Sequence, residues 1–173
     1  MGAPKESDGT VKSRTTVERK SERELVITRT INAPARIVYE AWTKPELFTQ
    51  WWVPKSFGLT LLSCDLDVRV GGQYRLVFRH GESDSMAFFG RYLEVIPPSR
   101  LVWTNEEAED GGPVTTATFE EKGRRTVVVL HELYPSRESL DAAMASGEKS
   151  GMDETFEQLD DLVVTLGGSS ARG

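Results

Sequence analysis

The chain has 173 residues, 38% of them hydrophobic, with 21 Lys and Arg against 27 Asp and Glu, for a formal net charge of −6. That length fits one domain of ordinary size, and the acidic balance excludes a general phosphate-backbone binder. No apolar run approaches the ~20 residues of a membrane helix, no secretory leader opens the chain, and one cysteine, Cys64, excludes an internal disulfide. These features predict a cytoplasmic protein with no nucleic-acid partner and no membrane insertion.

Residues 1–23 carry six Lys and Arg and four Asp and Glu with almost no large apolar side chains. Such a stretch buries too little surface to offset its ordering entropy and reads as a disordered tail. The domain proper then spans 24–166, with 15 basic against 23 acidic residues from position 24 onward. Residues 167–173, rich in Gly and Ser, read as a flexible C-terminus.

Leu25, Ile27 and Ile31 alternate with polar residues and predict a half-buried strand. In Asn32-Ala33-Pro34 the asparagine suits a helix cap and the proline a first turn. Ile37, Val38, Ala41 and Trp42 follow at helical spacing. Thr43 and Pro45 open a second short helix that puts Phe48, Trp51 and Trp52 on one side, and Pro54 ends it.

The runs 59–68, 72–79, 86–95, 100–106, 114–121 and 125–134 read as successive strands, separated by short Gly- and Pro-containing turns. Spacings this short give antiparallel hairpins rather than parallel crossovers. After Pro135, with Ser136 as a cap, the helical period returns. Met152, Phe156, Leu159, Val163 and Leu166 form one stripe, on a helix expected to be continuous with Leu140–Met144 and interrupted or bent near Gly147–Gly151. The order of elements specifies an α+β helix-grip fold: a curved antiparallel sheet of seven strands, two short helices, and a long C-terminal helix across the concave face. A cavity between that helix and the sheet is the expected by-product.

Several segments carry a family likeness. They are Ile31 through Thr43, Trp51-Trp52-Val53-Pro54, Asp65 through Gly72, Gly90 through Pro98 with Arg100 through Thr104, and Gly151-Met152 leading into Leu159. In this order they resemble the family of homologues of the heat-shock-protein-90 ATPase activator, within the START-like (SRPBCC) superfamily. The resemblance covers 24–166 and implies a ligand-binding scaffold. That superfamily includes lipid carriers, hormone and allergen pockets, polyketide cyclases, aromatases and the co-chaperone domain, so fold alone does not fix function. The co-chaperone itself has a separate folded N-terminal domain where this sequence has a polar tail, and stimulation of a chaperone ATPase is not expected.

Strand parity nominates the pocket. Tyr74, Leu76 and Phe78 share one face; Phe88 and Tyr92 share another, with Gly90 leaving room between them; Trp103 and Asn105 share a third. Met152 and Phe156 supply a helix wall, and the tryptophans near 42–52 close one end. His131 shares a face with Val127, Val129 and Leu133, and that face is expected to look into the cavity. The predicted ligand-binding residues are therefore Tyr74, Phe78, Phe88, Tyr92, Trp103, His131, Met152 and Phe156. The same stripes would serve a filled core or a cavity of about 300–1,000 Å³.

No His, Cys, Asp or Glu set has metal-ligand spacing, Gly71-Gly72 lacks the lysine and helix of a phosphate loop, and no cofactor is expected. Catalytic residues are not identifiable. The leading reading is binding of a small hydrophobic molecule, aromatic or acyl, without catalysis. The alternative is a cyclase, aromatase or small-conjugate hydrolase using His131, Tyr74 or Tyr92 for proton transfer. A third reading is an interaction module or homodimer that uses the outer sheet face, where Phe89 and Leu93 lie.

Overall fold

The computed structural model describes residues 15–107, 111–146 and 151–172, with side chains in the last segment to Leu166. The expected tail lies outside the described residues up to position 14. The strands are β1 (Thr16–Arg19), β2 (Glu24–Ile31), β3 (Leu59–Leu66), β4 (Gln73–His80), β5 (Ser85–Ile96), β6 (Arg100–Thr104), β7 (Val114–Lys122) and β8 (Arg125–Leu133). They form one antiparallel sheet in the order β1-β2-β8-β7-β6-β5-β4-β3. The α+β helix-grip architecture is as the sequence specifies, with eight strands instead of seven. The additional strand is β1, four exposed residues taken from the predicted tail. Its sequence shows no buried face because it joins the sheet through its backbone, paired with β2 from Thr16↔Thr28 to Arg19↔Leu25.

Helix α1 (Ala35–Thr43) buries Ile37, Val38, Ala41 and Trp42 on β7 and β8, and α2 (Pro45–Phe48) leads into a turn and a 3-10 helix at Lys55–Phe57. Neither start is capped as expected. Pro34 occupies the α1 cap position, and the Ala35 amide donates to the Glu121 carboxylate of β7 at 3.0 Å, an anion where the helix dipole favours one. Asn32 instead donates its backbone N–H to Asp160. Lys44 stands at the cap of α2, while the Thr43 hydroxyl donates back to the Tyr39 carbonyl.

The C-terminal region is two helices, α3 (Arg137–Ala145) and α4 (Met152–Arg172), rather than one continuous helix. Ser136 caps α3 as predicted, accepting from the Ser139 amide at 3.0 Å. Gly151 precedes α4 at a close approach, since a Cβ there would sit 2.7 Å from the Phe57 ring and 2.9 Å from Pro54. Helix α4 extends past Gly167, where the sequence reads as flexible. It lies against α1 and β2, and Phe156, Leu159 and Val163 are fully buried beneath it.

Polar contacts fix α4 on the sheet. Arg29 projects from the inner face of β2 with its side chain 1% exposed and meets Asp153 at 3.0 Å and Asp160 at 3.1 Å. A buried guanidinium is tolerated only when paired and hydrogen-bonded. Gln158 completes the attachment, donating to the Trp51 and Val53 carbonyls and accepting from the Lys55 amide.

Candidate ligand pocket

Antiparallel register places directly opposed residues on one face, so the inner surface can be followed across the sheet. Leu25, Glu132, Thr115 and Trp103 lie in one row, and Trp103 opposes Tyr92. Farther along, Gly90 opposes Tyr74, Tyr74 opposes Leu66, and Leu76 opposes Phe88. Over this end of the sheet sit Trp42, Phe48 and Trp52. Between the two layers lies a partly open cavity of ≈ 50 Å³. Seven of its ten lining residues are aromatic, two are leucines, the last is Asn105, and none carries a charge. Trp52, Leu66, Phe88 and Asn105 are only half-buried and form the solvent side of the wall.

Four of the predicted residues, Tyr74, Phe88, Tyr92 and Trp103, line this cavity, and four do not. Phe78 lies deeper, edge-on to Phe88 with ring centroids 5.5 Å apart. Phe156 is fully buried behind the wall, 6.3 Å from Trp42 and 6.5 Å from Trp51, and Met152 packs half-buried at the margin of the core. The helical wall therefore comes from α1 and the segment through Trp52, not from α4. The expected closure by tryptophans holds for Trp42 and Trp52, whereas Trp51 is fully buried and donates its indole N–H to the Ala41 carbonyl at 2.9 Å.

The placement of His131 is a correction. On β8 the buried residues are Thr126, Val128, Leu130 and Glu132, so His131 points to the opposite face, where its Nε2 meets the Glu24 carboxylate at 2.9 Å. That partner holds the Glu24 carboxyl pKa below its ordinary value, with the Ser21 hydroxyl adding to the effect. His131 instead borders a depression of ≈ 420 Å³ with Arg100, Thr116, Thr118 and Val129. All five belong to the sheet, so the larger volume has a floor and no second wall. Parity misled because the outer face of β8 carries Val127, Val129 and Leu133, while the inner one holds Thr126 and Glu132 beside Val128 and Leu130. The strand pairing gives the right face: Leu25 and Ile27, which are buried, oppose Glu132 and Leu130.

Gly90 also plays a different part from the one its sequence position suggests. A Cβ at Gly90 would lie 2.1 Å from the Thr104 carbonyl oxygen, so the space is filled by backbone. The bulge between β5 and β6 at Tyr92/Glu94 accompanies this approach. The Thr104 carbonyl then accepts from the Tyr74 hydroxyl at 2.6 Å, and Asn105 Oδ1 lies 3.3 Å from that hydroxyl. Asn105 in turn donates through Nδ2 to the Pro113 carbonyl at 2.7 Å and to Thr115 Oγ1 at 3.0 Å.

Burial is the main cause of the upward shift of both Tyr74 and Tyr92, and the charge of Glu107 adds to it at Tyr74. On the helical side, Tyr39 Oη and Trp42 Nε1, one turn apart on α1, are buried without a hydrogen-bond partner. Such orphans are uncommon in folded proteins. Asn105 shares the Trp103 face by parity but is not among the predicted ligand-binding residues, and Leu66 is legible only as a neighbour of the named strand residues. Phe48 gave the same signal as the tryptophans beside it.

Residues 32–164 match the model of the family described as activator of Hsp90 ATPase homolog 1-like protein. The chain belongs to that family. Among solved structures, a protein from Rhodobacter sphaeroides superposes with a TM-score of 0.80 at 23% identity, over 88% of this chain and 99% of that one. A Staphylococcus epidermidis protein gives 0.72 at 28% identity, over 87% and 94%. An AHSA1-like protein from Aeromonas hydrophila gives 0.63 at 19% identity, over 79% and 92%. No curated protein matches the sequence. The START-like fold is thus common to this family member and its structural neighbours. Among the described residues, no helix is long and apolar enough to cross a membrane.

Proposed function

We propose that this family member binds a small, largely apolar molecule in the cavity under Trp42, Phe48 and Trp52, without turning it over. The observation that carries the reading is an unfilled space walled by seven aromatic side chains, with polar groups gathered at one corner and no charge in the lining. Ligand sites have this composition: apolar surface for affinity and a few polar atoms for orientation. Binding is favoured over catalysis because the titratable side chains of the lining are two tyrosines whose burial keeps them protonated, a poor starting point for a general base near neutral pH.

The volume limits the ligand. A space of ≈ 50 Å³ is well below the roughly 300–1,000 Å³ of drug-sized pockets. It is also below the roughly 150 Å³ of a cavity that holds one benzene ring, so a single ring or short chain requires outward rotation of the half-buried Trp52 and Phe88 to enlarge the space.

The test is a titration of the full chain by amide and indole NMR against single-ring aromatics, short acyl chains and a sterol. Saturable shifts confined to Trp42, Trp52, Tyr74, Phe88, Trp103 and Asn105 are the expected result, with the sterol inactive. Shifts centred on Met152 and α4, or none with any compound, would refute the reading.

A further inference from the structure

The polar corner of the cavity has a definite hydrogen-bonding sense. Pro113 and Thr104 contribute carbonyl oxygens, which only accept. The amide of Asn105 must therefore turn its nitrogen to Pro113, and with Thr115 Oγ1 as second partner both of its hydrogens are used. Its oxygen is left facing Tyr74. The single hydroxyl proton of Tyr74 is likewise committed, since it goes to the Thr104 carbonyl at 2.6 Å. Asn105 Oδ1 and Tyr74 Oη thus offer the cavity lone pairs and no hydrogens.

The surroundings act in the same direction. Glu106 is fixed by the Thr104 hydroxyl and by Arg91, and Glu107 accepts from the Phe89 amide. Both carboxylates add to the burial effect that raises Tyr74.

Building on the proposed binding role, we infer that the ligand enters with a hydrogen-bond donor, a hydroxyl or an amine, directed at Asn105 Oδ1 and Tyr74 Oη, and that the site selects against carboxylates and carbonyl-headed acyl chains. The lining also holds opposing features. Tyr92, Trp52 and Trp103 carry a hydroxyl or indole hydrogen. Trp42 Nε1 is a further donor in the wall, but it is buried, so an acceptor could use that one only after the wall had moved.

Four single-ring probes of similar size separate these possibilities on the full-length protein: phenol, anisole, toluene and benzoate, each titrated by NMR. Phenol should bind about three- to tenfold tighter than anisole or toluene, the effect of one net hydrogen bond, and benzoate should not saturate. Anisole or benzoate equal to or tighter than phenol overturns the inference while leaving the binding role intact; loss of that tight binding in Trp42→Phe would assign selection to the indole. If no probe shifts the cavity residues, the binding role falls and this inference with it. Asn105→Leu should still bind toluene but lose the preference for phenol. If that variant does not fold, the wild-type ranking alone decides.

Discussion

Replacing Gly90 by alanine tests how the sheet builds the polar corner of the cavity. The new methyl would stand 2.1 Å from the Thr104 carbonyl oxygen, about 0.9 Å inside the 3.0 Å that real Cβ contacts respect. The obstacle is backbone, so relief requires β5 and β6 to separate. Overpacking of this kind costs roughly 1–3 kcal/mol. Moving the carbonyl also breaks its bond from the Tyr74 hydroxyl, and a buried polar group left unpaired adds roughly 1–3 kcal/mol. The expected loss is therefore about 2–6 kcal/mol, read as a lower urea midpoint by tryptophan fluorescence. In a chain of this size that lowers Tm by about 4–24 °C.

Gly81→Ala is the comparator. Gly81 has φ +58 and open space at its Cβ, so only the left-handed conformation is penalised, by about 1–2 kcal/mol. Tyr74→Phe in the Gly90→Ala background should cost at least ~1 kcal/mol less than in the wild type, because the bond it removes is already gone. A Gly90→Ala protein within about 0.5 kcal/mol of wild type, a typical neutral surface change, would refute the reasoning; strict additivity with Tyr74→Phe would show that the carbonyl does not move.

Asp160→Asn should destabilise more than Arg29→Met in urea unfolding. The first leaves a buried cation with the exposed Asp153 as its one carboxylate and the Thr15 hydroxyl as a neutral acceptor, and breaking such a pair costs about 3–5 kcal/mol, whereas the second removes the buried charge itself. Equal losses would count against this account of Arg29. Glu154 is held below the usual carboxylate range by the Ser56 hydroxyl and then the Ser56 amide. A depressed carboxyl stabilises fully above its unfolded value, and that contribution is lost as pH falls through the folded value. Ser56→Ala should raise the Glu154 midpoint seen by carboxyl NMR, and an unmoved midpoint would refute the assignment. Burial, with Asp65 adding to it, pushes the Cys64 thiol up to about 11. The native protein should therefore react with a disulfide reagent at pH 8 far more slowly than the urea-unfolded chain, and comparable rates would refute this.

The sheet and helices were readable because their apolar residues recur at the period of each element. Tyr74-Leu76-Phe78 and Leu25-Ile27-Ile31 are examples, and the one interruption, Arg29, marks the buried cation. The pocket was half-readable. Tyr74, Phe88, Tyr92 and Trp103 follow from parity, but parity is silent on which helix covers them, so Met152 and Phe156 were nominated in place of Phe48. His131 was misplaced because a β-branched outer face resembles an inner one. The inner polar groups of β8 stay buried because they are bonded, Thr126 to the Ala33 carbonyl and Glu132 to the Tyr134 hydroxyl. The role of Gly90 needs a contact with Thr104, and no local pattern encodes contacts between strands.

The strand Thr16–Arg19 adds almost nothing to the core, yet it occupies the flank of β2, whose Leu25, Val26 and Ile27 would otherwise terminate the sheet with free amides and carbonyls. Arg19 holds it there through Asp141 on α3 at 2.7 Å. A short, charged terminal strand is a common guard against edge-to-edge aggregation. A fragment trimmed at Glu24, where the apolar pattern begins, would keep its interior and expose a sticky border. The practical start of the folding unit is therefore Thr15 or earlier, and the value of β1 lies in the self-association it prevents.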